Sequence, residues 1–457
     1  MEKIYKLEQP DLVALEADED YISHLIEIFN EPEENKKIHD AVKKAADPQY
    51  LHWKDLKYKS WIPEIYKKKK EAFWYLVKYS RRLNSIKTPI RDHKGNFFRW
   101  QKLNNYERML HEITLDMSRY IFDIPGASPA DYQKYQSQSI IEEAIASSQL
   151  EGAHTTRKVA KQMIEEKREP KTSDERMIYN NFIAMRSIQE RFKNEKLSQE
   201  MLLELHQMLT VGTSTLDEEE QGRFRLDSDK IVITKGDDPM IIGYVAPPMD
   251  FVKKEIKRLI DFANDELEEE NFIHPVIKAI MLHFWIGLLH PFVDGNGRLA
   301  RGIFYWYLLK KDYWAFAFLP ISIAIKSAPS QYSEAYILSE QDENNLTYFI
   351  DYHIRKINQA IENFRKFFKK KTAESRKINK ILQEHKSLNR RQSETLARLK
   401  QNPEKPITAT IYQNIHNVGK ITAIKDLKAL LKLGFVECEK RGRNVFYRPN
   451  KKTNEIF

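Results

Sequence analysis

Residues 290–301 read His290-Pro291-Phe292-Val293-Asp294-Gly295-Asn296-Gly297-Arg298-Leu299-Ala300-Arg301, and this stretch decides how the rest of the chain is read. Upstream of it Pro275 to Leu289 is a mostly apolar helical run, with His274 as cap and Pro275 at the first position, where a missing N–H costs nothing. Pro291 stops that helix, and a second apolar helix, Ile303 to Leu309, follows. Between them, two glycines flanking Asn296 permit backbone geometries that expose successive N–H groups just where the next helix begins. Such a turn is an anion nest at a helix N-terminus. Arg298 and Arg301, three apart, point to roughly the same side of the new helix and can clamp a polyphosphate by charge-assisted bonds. Asp294 adds a hard oxygen ligand, of the kind Mg²⁺ uses together with substrate phosphates. His290 stands at the junction of helix and loop, and an imidazole with an ordinary pKa of about 6.5 can accept a proton at neutral pH.

Competing chemistries fit less well. His283 lies two helical turns before His290, but no His-Glu-x-x-His pattern exists, and the arginines would repel a catalytic cation that lacks a bound anion. The chain has no Gly-x-x-x-x-Gly-Lys-Ser/Thr loop, no Gly-x-Ser-x-Gly elbow and no reactive-cysteine context.

The 457 residues suffice for roughly two to four domains, and only 14 of them are glycine, which favours a mainly helical chain. The single cysteine, Cys438, cannot form an internal disulfide, so a reducing cytoplasm is the expected location. The start has no signal-peptide pattern, and the longest apolar stretch, Ala315 to Ile325, is interrupted by Pro320 and too short to span a bilayer, so no membrane partner is expected.

The punctuation divides the chain. Residues 1–104 read as a helical region of unknown role, rich in Trp, Tyr and Lys at spacings of three to five, which suits core contacts better than stacking of a single-stranded nucleic acid. Residues 105–351 form the central domain, 352–388 a helical spacer, 389–450 a C-terminal module and 451–457 a tail. Residues 389–457 hold 15 Lys and Arg against 6 Asp and Glu, so they carry the whole net charge of +9. Their order is three helices (390–401, 407–417, 420–433) and a hairpin, that of a winged helix-turn-helix. On DNA, Thr422, Lys425 and Lys428 would face the duplex from the third helix, and Arg441 and Arg443 would touch phosphates from the wing tip. Such a module serves equally for protein contact or for pairing two copies of the chain.

The twelve residues 290–301 match position for position the signature of the Fic (filamentation induced by cAMP) family, and the surroundings are similar too: Leu205-His206, Gly222-x-x-Arg225, a flap hairpin at Ile231-Val232-Ile233 turning near Gly236-Asp237-Asp238, and Pro247-Pro248. The resemblance implies a mainly α fold, a Fic helical bundle with one small β-hairpin, and transfer of AMP from ATP to a hydroxyl side chain of a target protein. Under it His290 deprotonates the target Ser, Thr or Tyr, and Asp294 holds Mg²⁺. Gly295, Asn296 and Gly297 form the anion hole, with Asn296 also on the α-phosphate, Arg298 on the β-phosphate and Arg301 on the γ-phosphate. The flap edge at Ile231, Val232 and Ile233 suits pairing with the target's backbone. Tyr332 and Tyr336 resemble the paired aromatics that follow the motif in this family, although here they stand four apart.

A second signature, Ser147-Ser148-Gln149-Leu150-Glu151-Gly152, ends an amphipathic helix over about 139–152 and resembles the family's inhibitory motif at Ser147, Glu151 and Gly152. In that resemblance Glu151 pairs with Arg301 and displaces ATP from its productive pose. The leading expectation is thus an autoinhibited, magnesium-dependent protein adenylyltransferase. The alternatives are a DNA-binding regulator that uses a Fic core as nucleotide sensor, or a Fic enzyme of altered chemistry: AMP removal, phosphotransfer or another nucleotide.

Overall fold

The chain is seen in a computed structural model that describes residues 3–31, 33, 35–121, 129–235, 238–267, 272–385, 387–416, 418–441, 444–451 and 453. It divides into two compact units. The first comprises Met1–Leu115, Ser139–Thr155 and Lys171–Ile361, and the second Asp116–Gln138, Thr156–Pro170 and Glu362–Phe457. Residues 1–104, read as a region apart, therefore share one unit with most of the central domain, whose residues 116–138 and 156–170 fall in the other.

That N-terminal part opens with a two-residue strand β1 (Lys3–Ile4) and contains helices α1 (Lys36–Ala46) and α2 (Lys70–Leu83). Trp53, Tyr66, Phe73 and Trp74 are buried against Ile38, Val42 and Ala45, so the aromatic spacing marks a core and not a stacking platform. The region is not wholly helical, because β2 (Ser85–Arg91) and β3 (Phe97–Gln101) form an antiparallel hairpin around the turn at Gly95. Arg81 fastens it to the central domain: its guanidinium donates to the Tyr348 hydroxyl at 2.9 Å and to the Leu51 carbonyl at 2.7 Å, with the Tyr50 ring 3.9 Å away.

The central domain contains α3 (Pro129–Leu150), α4 (Ser173–Glu190), α5 (Gln199–Thr210), the strands β4 (Val232–Lys235) and β5 (Asp238–Val245), then α6 (Met249–Ala263), α7 (Pro275–Leu289), α8 (Asn296–Lys310) and α9 (Pro329–Gln341). Helices α7 and α8 pack along one another, and nearly every residue of both is buried, which explains why they read as apolar on all sides. Helices α4, α5 and α6 pack around this pair. Strands β4 and β5 pair antiparallel, with Val232 opposite Val245 and Ile233 opposite Tyr244, and the turn residues Gly236 and Asp237 lie outside the described residues. The hairpin is not alone: β1 joins β5 in parallel, Lys3 opposite Ile241 and Ile4 opposite Ile242, giving the order β1-β5-β4.

The helical spacer expected over 352–388 is part of a single helix α10 (Thr347–Glu384), with Ile354, Ile357 and Ile361 buried in its first half. In the second unit α11 (Arg390–Gln401), α12 (Ala409–His416) and α13 (Lys420–Lys432) precede the antiparallel strands β6 (Val436–Arg441) and β7 (Asn444–Pro449). They enclose their own core of Leu396, Leu399, Tyr412, Leu427, Leu430, Phe435 and Tyr447. Helix α12 starts later than the sequence suggests because Ile407 exchanges two backbone hydrogen bonds with Tyr447, at 2.9 and 2.8 Å. Among the described residues no helix is long and apolar enough to cross a membrane.

Candidate active site

Helix α7 is capped by the His274 ring, which accepts from the Val276 N–H at 3.2 Å, and it ends on His290 in the left-handed region, φ 45° and ψ 58°. A non-glycine residue holds that conformation only when its surroundings fix it. Here Arg225 does so. Its Nε donates to the His290 carbonyl at 2.7 Å, its backbone N–H to the Pro291 carbonyl at 2.9 Å, and its Nη2 to the Pro247 carbonyl. The His290 ring lies with Nδ1 3.3 Å from the Gly287 carbonyl. A carbonyl only accepts, so Nδ1 carries the hydrogen and Nε2 keeps a free lone pair. Burial pulls the His290 pKa below its ordinary value, against the bond to Gly287 and the nearby Glu151 carboxylate, which push it up. The ring is neutral at pH 7, as a base must be.

The loop closes on itself through Asn296, whose Oδ1 accepts from the Phe292 N–H at 3.0 Å and whose Nδ2 donates to the Phe292 carbonyl at 2.8 Å. The buried Asn296 amide thus braces the loop, and its backbone N–H stands among the helix-initial groups. Gly295, at φ 83°, caps α8, and the first N–H to find a helical partner is that of Leu299. The N–H groups of Asn296, Gly297 and Arg298 precede it and have no helical acceptor. A Cβ placed on Gly297 would collide with the Glu151 carboxylate, so that carboxylate lies directly over the turn.

The two arginines do not converge. Arg298 is buried, donating from Nη1 to the Leu209 carbonyl at 3.0 Å and from Nη2 to Asp294 Oδ2 at 2.9 Å. Two of its nitrogens thereby tie the loop to the end of α5. Arg301 meets the helix α3 instead. Its Nε donates to Ser147 Oγ at 2.7 Å, and its Nη2 to the Ser147 carbonyl at 3.0 Å and to Glu151 Oε1 at 2.7 Å. Its Nη1 is buried with no hydrogen-bond partner among the described residues. Burial opposes the charge of Arg301, yet Glu151, Tyr332 and Glu143 together outweigh it and the pKa lies above the ordinary arginine value.

Asp294 Oδ2 also accepts from Thr215 Oγ1 at 2.7 Å. Although burial raises its pKa, Arg298, Thr215 and the Gly295 N–H lower it further, so the carboxyl stays ionised. Among the described residues no group of three or more His, Cys, Asp or Glu is arranged to hold a metal, so a cation at Asp294 would need its remaining ligands from phosphates and water.

Helix α3 is anchored one turn before Ser147 by Glu143, which accepts from Tyr305 Oη at 2.9 Å, from the Ser322 N–H at 2.9 Å and from the Ser322 hydroxyl. After Glu151 the chain turns at Gly152 with φ 95°, a helix stop that only glycine takes without strain. Tyr332 and Tyr336 do stand together, ring centroids 5.4 Å apart. Tyr332 shares a 2.8 Å hydrogen bond with His283 Nε2, and Tyr336 lies over Gly287, where a Cβ would strike its hydroxyl. His283, considered above as a metal ligand, is held instead in an aromatic cluster with His353, 4.8 Å between ring centroids.

On the flap, Val232 and Ile233 lie in β4 and are exposed, while Ile231 precedes the strand and its carbonyl accepts from the Ala246 N–H at 3.1 Å. In the second unit Lys425 and Lys428 are exposed on α13 and Thr422 half-buried. Arg441 forms two hydrogen bonds with Glu439, at 2.8 and 2.9 Å, rather than standing free at a tip, and Arg443 lies outside the described residues. Thr215 and Glu143 escaped the sequence reading. Glu143 had a signal, since Glu143, Ser147 and Glu151 are spaced four apart and share one helix face.

Residues 196–308 match the model of the Fic/DOC family, so the chain carries a Fic domain. It is similar to the protein adenylyltransferase fic-1 of Caenorhabditis elegans, 24% identical over 173 residues that make up 38% of this chain and 29% of that one. It is also similar to the protein adenylyltransferase Fic of Drosophila grimshawi, 32% identical over 90 residues, 20% of this chain and 17% of that one. The chain thus spans less than a third of the length of these curated relatives. Among solved structures it resembles a Fic family protein from Desulfovibrio desulfuricans G20, with a TM-score of 0.49 and 19% identity, covering 77% of this chain and 97% of that one.

Proposed function

We propose that the protein is an adenylyltransferase that moves AMP from ATP to a Ser, Thr or Tyr hydroxyl of a target protein, and that its own helix α3 restrains it. One observation carries this reading: a neutral imidazole with a free Nε2 borders a turn of helix-initial N–H groups, and the anion standing over that turn is the chain's own Glu151 carboxylate. His290 Nε2 takes the proton of the target hydroxyl as the oxygen bonds to the α-phosphorus, and the bond to the β-phosphate side breaks to release pyrophosphate. The N–H groups of Asn296 and Gly297 stabilise charge that grows on the phosphoryl oxygens. Arg301 Nη1, buried without a partner among the described residues, fits the terminal phosphate. Asp294 would hold Mg²⁺, which supplies charge neutralisation across the phosphates.

Glu151 restrains this chemistry by occupying Arg301 and the space over Gly297. The experiment is intact-mass analysis after incubation with ATP and Mg²⁺. Glu151→Gly is expected to gain one AMP unit, and Glu151→Gly combined with His290→Ala none. Equal mass for wild type and both variants would refute the reading.

A second reading concerns the other unit, favoured by the exposed Lys420, Lys425, Lys428 and Lys432 along α13. They would meet DNA phosphates, with binding that weakens steeply as salt rises. No shift of a duplex at low salt would dismiss it.

A further inference from the structure

His206 belongs to none of the roles assigned so far, yet it is fully buried beside the loop. It sits on α5. Its ring stacks on Phe292, 3.8 Å between centroids and 9° between planes. Nδ1 lies 3.1 Å from the Gly222 N–H and Nε2 lies 2.9 Å from the Asp294 carbonyl. An N–H only donates and a carbonyl only accepts, so the bonds fix one tautomer: Nδ1 bare and Nε2 protonated. Burial agrees with a neutral ring, pulling the pKa down to about 4, while Arg298 and Asp294 are the charged groups that face it.

The bond to Asp294 has a geometric consequence. In a trans peptide the carbonyl and the next N–H point in opposite directions. Holding the Asp294 carbonyl toward His206 therefore turns the Gly295 N–H the other way, where it donates to the Asp294 carboxylate. The same ring leaves no slack on its other side: a Cβ on Gly295 would come within 3.4 Å of His206 and 3.1 Å of Thr210. Through Gly222 the ring also holds the segment that leads to Arg225, which grips the His290 and Pro291 carbonyls.

We infer that His206 is a positioning residue that sets the Asp294–Gly295 peptide plane, and through it the direction of the Asp294 carboxylate. Its kinetic consequence rests on the adenylyltransferase reading; its structural consequence does not. The test uses the full chain carrying Glu151→Gly, with His206→Phe, which keeps the stack and loses both bonds, and His206→Gln, whose amide can still donate to the Asp294 carbonyl. With His206→Phe, kcat should fall about tenfold or more, as small misplacements do, and the half-saturating Mg²⁺ concentration should rise. His206→Gln should recover much of both. A His206→Phe rate and Mg²⁺ dependence matching the parent would overturn the inference.

Amide hydrogen exchange provides the arm that needs no activity. Residues 292–297 should exchange faster in His206→Phe while α7 keeps its protection, and equal protection of the loop would overturn the inference. Nitrogen spectra of the unsubstituted protein at pH 6 should show the neutral ring protonated at Nε2. The other tautomer, or a cation, would likewise overturn it, even where His206→Phe does not fold. Should Glu151→Gly transfer no AMP at all, the adenylyltransferase reading fails and the exchange and nitrogen measurements still judge His206.

Discussion

Glu151 Oε1 lies 2.7 Å from Arg301 Nη2, while Nη1 of the same guanidinium has no hydrogen-bond partner among the described residues. The chain's own carboxylate thus already engages this guanidinium. Wild type is expected to bind ATP and ADP with similar affinity, because the arginine suited to the terminal phosphate is engaged. Glu151→Gly should favour ATP by about tenfold or more, the worth of one charge-assisted hydrogen bond of about 1.5 to 3 kcal/mol. Calorimetric titration with both nucleotides checks this, and equal ATP and ADP affinities in the variant would count against it.

Glu143 anchors the helix that carries Glu151. Glu143→Ala leaves the buried Ser322 N–H without its acceptor and should cost about 1 to 3 kcal/mol of stability. It should also raise self-modification, because α3 loses its hold on Tyr305 and Ser322. Glu143→Gln keeps an acceptor oxygen and should stay close to wild type. Thermal melts beside labelling with ATP separate the two effects, and the idea fails where Glu143→Ala loses stability without gaining label.

The pH dependence follows from His290. Its pKa is lowered, first by burial, so the basic form persists below the ordinary midpoint of about 6.5. The acid limb of kcat/KM should lie below that value, with the rate level as pH rises past 7. Because the Glu151 carboxylate holds the pKa up, Glu151→Gly should carry the limb further to acid. A limb above pH 6.5 would be inconsistent with His290 as the base.

Gly287→Ala probes the aromatic pair. The added methyl would meet the Tyr336 hydroxyl, and a crowded core costs about 1 to 3 kcal/mol. Nucleotide binding should weaken as Tyr336 moves off α7. Unchanged affinity in Gly287→Ala would remove Tyr336 from the binding pocket.

Stability itself should fall in mild acid. Burial pulls His206 and His52 down to about 4 and His353 to about 3. These rings are neutral when folded, and in the unfolded chain they take up protons below about 6.5, so stability is full above that pH and is lost as pH falls toward 4. Each contributes a slope of up to about 1.4 kcal/mol per pH unit across that window. Urea midpoints measured from pH 7 to 4.5 test the trend, and a flat series contradicts it.

The loop at 290–297 was legible because its determinants are contiguous: a proline that ends one helix, a glycine that opens the next, and an imidazole between them. The end of helix α3 was legible for the same local reason, a stop at Glu151-Gly152, but its start was not: expected near Ser139, it lies at Pro129. The contact of Arg298 with the Leu209 carbonyl was not, since the two residues are 89 positions apart and no local pattern pairs them. Nor was the hairpin over β2 and β3, whose alternating Thr88, Ile90, Phe98 and Trp100 are buried but sit in a stretch dominated by helical aromatics. Strand β1 was invisible, because two residues carry no periodicity.

That two-residue strand has a consequence for assembly. Lys3 and Ile4 reach partners more than two hundred positions further along the chain, so the three-stranded sheet is completed only after Ile241 and Ile242 have been made and brought back to them. Until then β5 keeps one edge unpaired, and β1, the outermost strand of the order β1-β5-β4, closes it last.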